Sequence, residues 1–127
     1  MKITKVLAAF LTICLLFSLF VACDTSGMST QMTIGQKNAL EKAESYLKYS
    51  SFSKKGLTEQ LKFEGFEESD ITFAVNNVEV DWNEQCYKKA KSYLEYSSFS
   101  KQGLIDQLEF EGFTADQIAY AINKVGY

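Results

Sequence analysis

Two kinds of apolar patterning divide this chain. From Val6 to Val21 the residues are apolar almost without a break, interrupted only by Thr12 and Ser18. From Gly35 onward apolar positions return at helical spacing instead. Leu40, Ala43 and Leu47 stand at i, i+3 and i+7, which predicts a helix over about Gly35–Tyr49, opened by a Thr33/Gln36 capping box. A second helix is predicted after Ser53 as N-cap, with Phe52 and Leu57 forming a hydrophobic staple. It should end at Gly65 in a left-handed conformation, with Phe66 following. A third should start near Glu67 and bury Ile71, Ala74 and Val75.

The same pattern is then written again at an offset of 47 residues, without a gap. Residues 86–127 match residues 39–80 at 23 of 42 positions, which points to a recent duplication. Phe99, Ser100 and Leu104 repeat the staple and cap. Thr114 and Gln117 supply a capping box, with Phe113 stapled to Ile118. The expected fold class is all-α: two three-helix, helix-turn-helix-like units in tandem, spanning 33–80 and 81–127.

No proline or glycine lies between Phe66 and Phe99, and the stripe Ile71, Ala74, Val75, Val78, Trp82 crosses the junction between repeats. This predicts one long shared helix, with the repeats rotated about a common rod. Asp81 and Glu84 are the competing signal, since they could cap a fresh helix. A unit of about 45 residues has a marginal core, so the two copies are expected to pack against each other. Phe63 and Phe110 lie opposite the Leu57/Leu61 and Leu104/Leu108 stripes of their own helices. They fit a contact between repeats or with the long helix, or else an exposed aromatic anchor for a partner.

The N-terminal run has the form of an export signal over residues 1–22, with Lys2 and Lys5 ahead of the apolar stretch. Its length of about 16 residues falls short of the roughly 20 that span hydrocarbon. Leu19-Phe20-Val21-Ala22-Cys23 resembles a bacterial lipobox, which makes Cys23 the expected lipid attachment site and places the chain on the extracytoplasmic face of the cell membrane. Two or more acyl chains give the durable attachment that a single chain does not. Residues 23–32 read as a flexible tether of small polar residues, reaching at most about 35 Å when extended.

Composition narrows the chemistry. The 127 residues contain 13 Lys+Arg, all of them lysine, 16 Asp+Glu and no histidine. Without His or Arg there is no Ser–His or Cys–His nucleophile, no His-bearing zinc site and no guanidinium fork for phosphate. The formal charge of −3 falls to −5 once residues 1–22 and their two lysines are removed. That balance argues against nucleic acid, and the first turns of the third helix, where a reading helix would stand, carry Glu67, Glu68 and Asp70. Cys86 takes the place of Ala39 in the first repeat and reads as a small core residue.

Two acidic clusters remain. Glu64, Glu67, Glu68 and Asp70 flank the second turn of the first copy, and Asp106, Glu109, Glu111 and Asp116 flank its counterpart. A calcium loop of D-x-[DN]-x-[DN]-G form is absent. Acid–base catalysis is disfavoured against a solvated acidic edge. The chain is therefore not expected to be an enzyme, and no cofactor or small-molecule substrate is expected. The functional alternative is an acidic surface that recognises a basic partner protein with two-fold valency.

The pattern A-x-x-Y-L-x-x-x-x-F-S-x-x-G-L-x-x-Q-L-x-x-E-G-F runs from Ala43 to Phe66 and again from Ala90 to Phe113. It is followed by Ala74–Val78 with Asp81–Trp82, and by Ala121–Val125. This spacing resembles the Ltp-like, host cell surface-exposed lipoprotein family of Gram-positive bacteria and their temperate phages. The resemblance implies an all-helical tandem. It also implies a superinfection-exclusion role, in which later phages adsorb but their DNA is stopped at the membrane by binding of the incoming tape-measure protein to an acidic helical surface. An envelope-associated structural or adhesion module with no phage role remains the alternative.

Overall fold

The computed structural model of the protein describes residues 31–127. The expected signal peptide, lipid-bearing Cys23 and most of the tether lie outside the described residues. The remainder forms six helices: α1 (Ile34–Tyr49), α2 (Lys54–Phe63), α3 (Glu68–Asn77), α4 (Trp82–Tyr96), α5 (Lys101–Phe110) and α6 (Ala115–Val125). Among the described residues there is no strand. The all-helical tandem predicted from periodicity is the fold observed.

Local sequence sets the helix ends. The Thr33/Gln36 and Thr114/Gln117 capping boxes both form, each satisfying two amides that a helix start leaves unpaired. Ser53 and Ser100 accept from the amides of Gly56 and Gly103, a cap worth about 1 kcal/mol. At the far end of α2, Gly65 adopts φ 87°. Its amide donates to the Lys62 carbonyl, and the Phe66 amide donates to the Leu61 carbonyl. That six-residue closure returns the chain for α3, and Gly112 and Phe113 repeat it on α5.

Each repeat closes its own core. In the first, α1 packs chiefly on α3 with α2 laid across them, and Ala39, Ala43, Leu57, Leu61, Ile71, Ala74 and Val75 are buried together. In the second, α4 packs on α6, and Cys86, Ala90, Leu104, Leu108, Phe113, Ile118, Ala121 and Ile122 form the matching cluster. Small residues on α1 and α4 admit close helix approach, and the fully buried leucines of α2 and α5 fill the space. Burying each such leucine stabilises by about 1.5–3 kcal/mol. Cys86 is fully buried, like Ala39, so its reading as a core residue holds.

The single long helix across the junction does not form. α3 ends at Asn77, Val78 turns extended at ψ 131°, and α4 restarts at Trp82. Val78, Glu79, Val80 and Asp81 pair two weak helix formers with a carboxylate that competes for backbone amides. The Asp81 side chain accepts from the amides of Asn83 and Glu84 at 2.9 and 3.3 Å, the cap that was the competing signal. The apolar stripe nevertheless serves one core, because the bend brings Val78 and Trp82 against the first cluster. Capping and burial together outweigh helix continuity.

The repeats do not meet through Phe63 and Phe110. They meet at the turn between α1 and α2, which seats on the second repeat. The Ser53 hydroxyl donates to the Glu111 carbonyl at 2.5 Å, and the Phe52 amide donates to Gln85 Oε1 at 3.2 Å. Lys89 Nζ lies 5.8 Å from the Phe52 ring centroid. Ser53 and Gln85 are consequently buried.

Candidate functional site: a helix corner written twice

The turn from α2 into α3, and from α5 into α6, is the feature that gathers most of the predicted site residues. Phe63 and Phe110 are the last residues of α2 and α5, and they stand 88% and 82% exposed. Both face solvent because Leu57/Leu61 and Leu104/Leu108 take the inward face of each short helix. Of the two readings of these phenylalanines, the structure has the exposed one.

Around each corner sits the same set of side chains. Tyr46 on α1 donates its hydroxyl to Glu64, Gln60 donates to the Tyr46 oxygen at 3.1 Å, and Lys42 pairs with Glu64 at 3.2 Å. In the second repeat Tyr93 donates to Glu111, Gln107 donates to Tyr93 at 3.1 Å, and Lys89 lies 3.7 Å from Glu111. The Tyr46 hydroxyl, with Lys42 beside it, holds the Glu64 carboxyl below its usual range. Burial and the neighbouring Glu111 push the Tyr93 phenol above 10. Both displacements lead away from neutrality, whereas acid–base catalysis needs groups brought toward it. These are braces that tie the helix corner to α1 and α4.

The predicted acidic residues therefore divide by task. Glu64 and Glu111 are held in the braces. Asp70 is half-buried beside the start of α1, where a side chain on Gly35 would collide with its carboxylate. Glu67 and Glu68 are exposed on the first corner, with Glu68 3.7 Å from Lys62. Asp106, Glu109 and Asp116 are exposed on and after α5, Asp106 accepting from Gln102 at 2.8 Å. The corners are not electrostatic copies: of the predicted residues, repeat one exposes Glu67 and Glu68 at the start of α3, and repeat two exposes Asp106 and Glu109 on α5.

Sequence reasoning missed the braces. Their signal was present, since Lys42, Tyr46, Gln60 and Glu64 all recur at the 47-residue offset as Lys89, Tyr93, Gln107 and Glu111. A third cluster has no counterpart in the first repeat. Glu84 accepts from Lys124 and Tyr120, which hold its carboxyl below the usual range, and Lys124 also lies over the Tyr87 ring at 4.4 Å. Among the described residues no three His, Cys, Asp or Glu side chains converge as metal ligands.

The family model of host cell surface-exposed lipoproteins matches residues 35–78 and again residues 81–125. Among solved structures, the chain is similar to that of Ltp, a superinfection exclusion protein from the Streptococcus thermophilus temperate phage TP-J34. The two share 32% sequence identity at a TM-score of 0.69, over 73% of this chain and 97% of that one. No curated protein sequence matches this chain.

Proposed function

This chain belongs to the host cell surface-exposed lipoprotein family, and from that premise we propose that it is a superinfection-exclusion lipoprotein. In this reading Cys23 carries the lipid that fixes it to the extracytoplasmic face of the membrane. A tether of about ten residues keeps the two repeats within roughly 35 Å of the bilayer, where an injected tail component has to pass. The partner is a phage tape-measure protein with basic segments, caught as phage DNA is about to cross.

One observation carries the reading: a large apolar side chain stands almost fully exposed at the same corner of both repeats, on elements that also expose carboxylates. Exposed aromatics rimmed by charge mark binding surfaces. Phe63 and Phe110 would anchor, while Glu67, Glu68, Asp106, Glu109 and Asp116 supply attraction for lysine or arginine. Glu64 and Glu111 would act by holding the corner in shape, and Asp70 by seating α3 against α1. Two corners on one chain raise avidity without new contacts. Similarity to a protein that performs superinfection exclusion supports the same reading.

Cells expressing the chain are expected to adsorb phage normally and to exclude its DNA, with escape phages altered in the tape-measure gene. Failure of adsorption would refute an obstruction at the membrane. Cys23→Ser, secreted in equal amount, should give no protection. Phe63→Ser with Phe110→Ser should lose protection by a larger factor than either change alone.

A further inference from the structure

The junction between repeats joins two different surfaces, and each surface has a second copy that the other repeat does not cover. The turn of the first repeat, Phe52-Ser53, seats on Gln85, Lys89 and the Glu111–Gly112 corner of the second. The turn of the second repeat, Phe99-Ser100, has the same two residues, and of their polar groups the Phe99 carbonyl already accepts from the Tyr127 hydroxyl, where the first repeat has Val80. Ser53 is 1% exposed, yet Ser100, doing the same capping work, is exposed to solvent. The seat is also duplicated: Asn38, Lys42, Glu64 and Gly65 stand in the first repeat where Gln85, Lys89, Glu111 and Gly112 stand in the second.

That first seat is empty by every measure that separates the two. A Cβ on Gly112 would press on Lys55 at 2.9 Å and on Ser53 Oγ at 3.2 Å, whereas a Cβ on Gly65 would meet nothing within 4 Å. The Lys89 side chain is 21% exposed beneath the turn, while Lys42 is 41% exposed. Gln85 is buried and Asn38 is exposed. An interface between two unlike surfaces, each present again and not covered by the other repeat, is heterologous and has no reason to close on itself.

We propose that this chain associates head to tail with further copies of itself, the Phe99–Ser100 turn of one molecule seating on the Lys42–Gly65 corner of the next. The occupant is set by the internal template. The same serine hydroxyl meets the same kind of carbonyl, the same lysine covers the same phenylalanine, and the same glycine leaves room for the approach. Asn38 for Gln85 and Gln102 for Lys55 are two substitutions in the pairing, a shorter reach at one point and one less charge at another. Both make the pairing between chains weaker than the one within the chain, where covalent connection supplies a high effective concentration. The pairing needs no phage component, so plaque counts on the same cells are a separate readout.

Disulfide trapping tests this, because oxidation accumulates even a short-lived contact. A full-length chain carrying Cys14→Ala, Cys23→Ala and Cys86→Ala, so that no other thiol remains, receives Ser100→Cys and Gly65→Cys, is expressed in bacteria, oxidised, and resolved without reductant. Copying the internal junction puts the new Cβ about as far from the new Sγ as the 3.2 Å seen at Gly112, within disulfide reach. The expected result is a ladder of dimers, trimers and longer chains in the double variant, with either single variant stopping at dimer. Ser53→Cys with Gly112→Cys is the matched control, carrying the same backbone strain, and it should close within one chain. Three outcomes overturn the proposal: no ladder while the control closes, a control that does not close, or an equal ladder from Ser100→Cys with Glu44→Cys on the exposed side of α1.

Discussion

At the scale of single residues, environment decides what each titratable group can do. Cys86 is fully enclosed, and burial pushes its thiol up to about 12. At pH 8 only about one molecule in ten thousand would then carry the thiolate that reacts. In the folded protein Cys86 should therefore resist iodoacetamide at pH 8 and become labelled in denaturant, read by peptide mass spectrometry. Glu84 is the opposite case, since Lys124 and Tyr120 hold its carboxyl below 4.5. A lowered folded-state value means that the stabilisation is present above 4.5 and is lost as pH falls through the folded value. Glu84→Gln should be less stable than the parent at pH 7, but its melting temperature should fall less steeply between pH 6 and pH 3. A parallel fall in both proteins would remove this pair from the acid response.

At the scale of elements, the glycine turns separate local need from tertiary contact. Gly65 and Gly112 share φ 87°, and a side chain at either suffers the left-handed strain of about 1–2 kcal/mol. Only Gly112 has Lys55 and Ser53 packed over it. Gly65→Ala should therefore cost about the strain alone, while Gly112→Ala should cost more and also loosen the seat of the Ser53 turn. Urea midpoints of the two variants would show it, and equal midpoints would place Lys55 elsewhere. Gly65 and Gly112 look the same in sequence, as do Ser53 and Ser100. Helix starts, caps and the glycine closures were legible because their partners lie within six residues along the chain. The break at Val78–Asp81 was not, because the stripe through Trp82 fits a rod and a bend equally well.

At the scale of the molecule, two small cores share one narrow polar junction. Cavity formation in one repeat should stay there. Leu61→Ala is expected to cost about 2–5 kcal/mol, and hydrogen exchange should quicken in α1–α3 well before α4–α6. Uniform loss of protection would show that the repeats unfold as one unit. The Phe63 and Phe110 rings both stay exposed, even though the Ser53 turn seats on the Glu111–Gly112 backbone beside Phe110, the condition for two contacts with a single elongated partner.

The sequence by itself determined the duplicated three-helix unit, its caps and glycine closures, the inward faces of α2 and α5, and the core role of Cys86. These follow from hydrogen bonds and periodicity that span at most a few turns. Tertiary structure alone decided that the junction bends, that Phe63 and Phe110 are exposed, and that Glu64 and Glu111 are braced while Glu67 and Glu109 are exposed. It also decided that Ser53 is covered and Ser100 is not. The braces and the covered turn rest on partners 18 to 58 residues away, and Ser53 and Ser100 are the same letter in both settings. Which copy is covered depends on where the other one comes to rest.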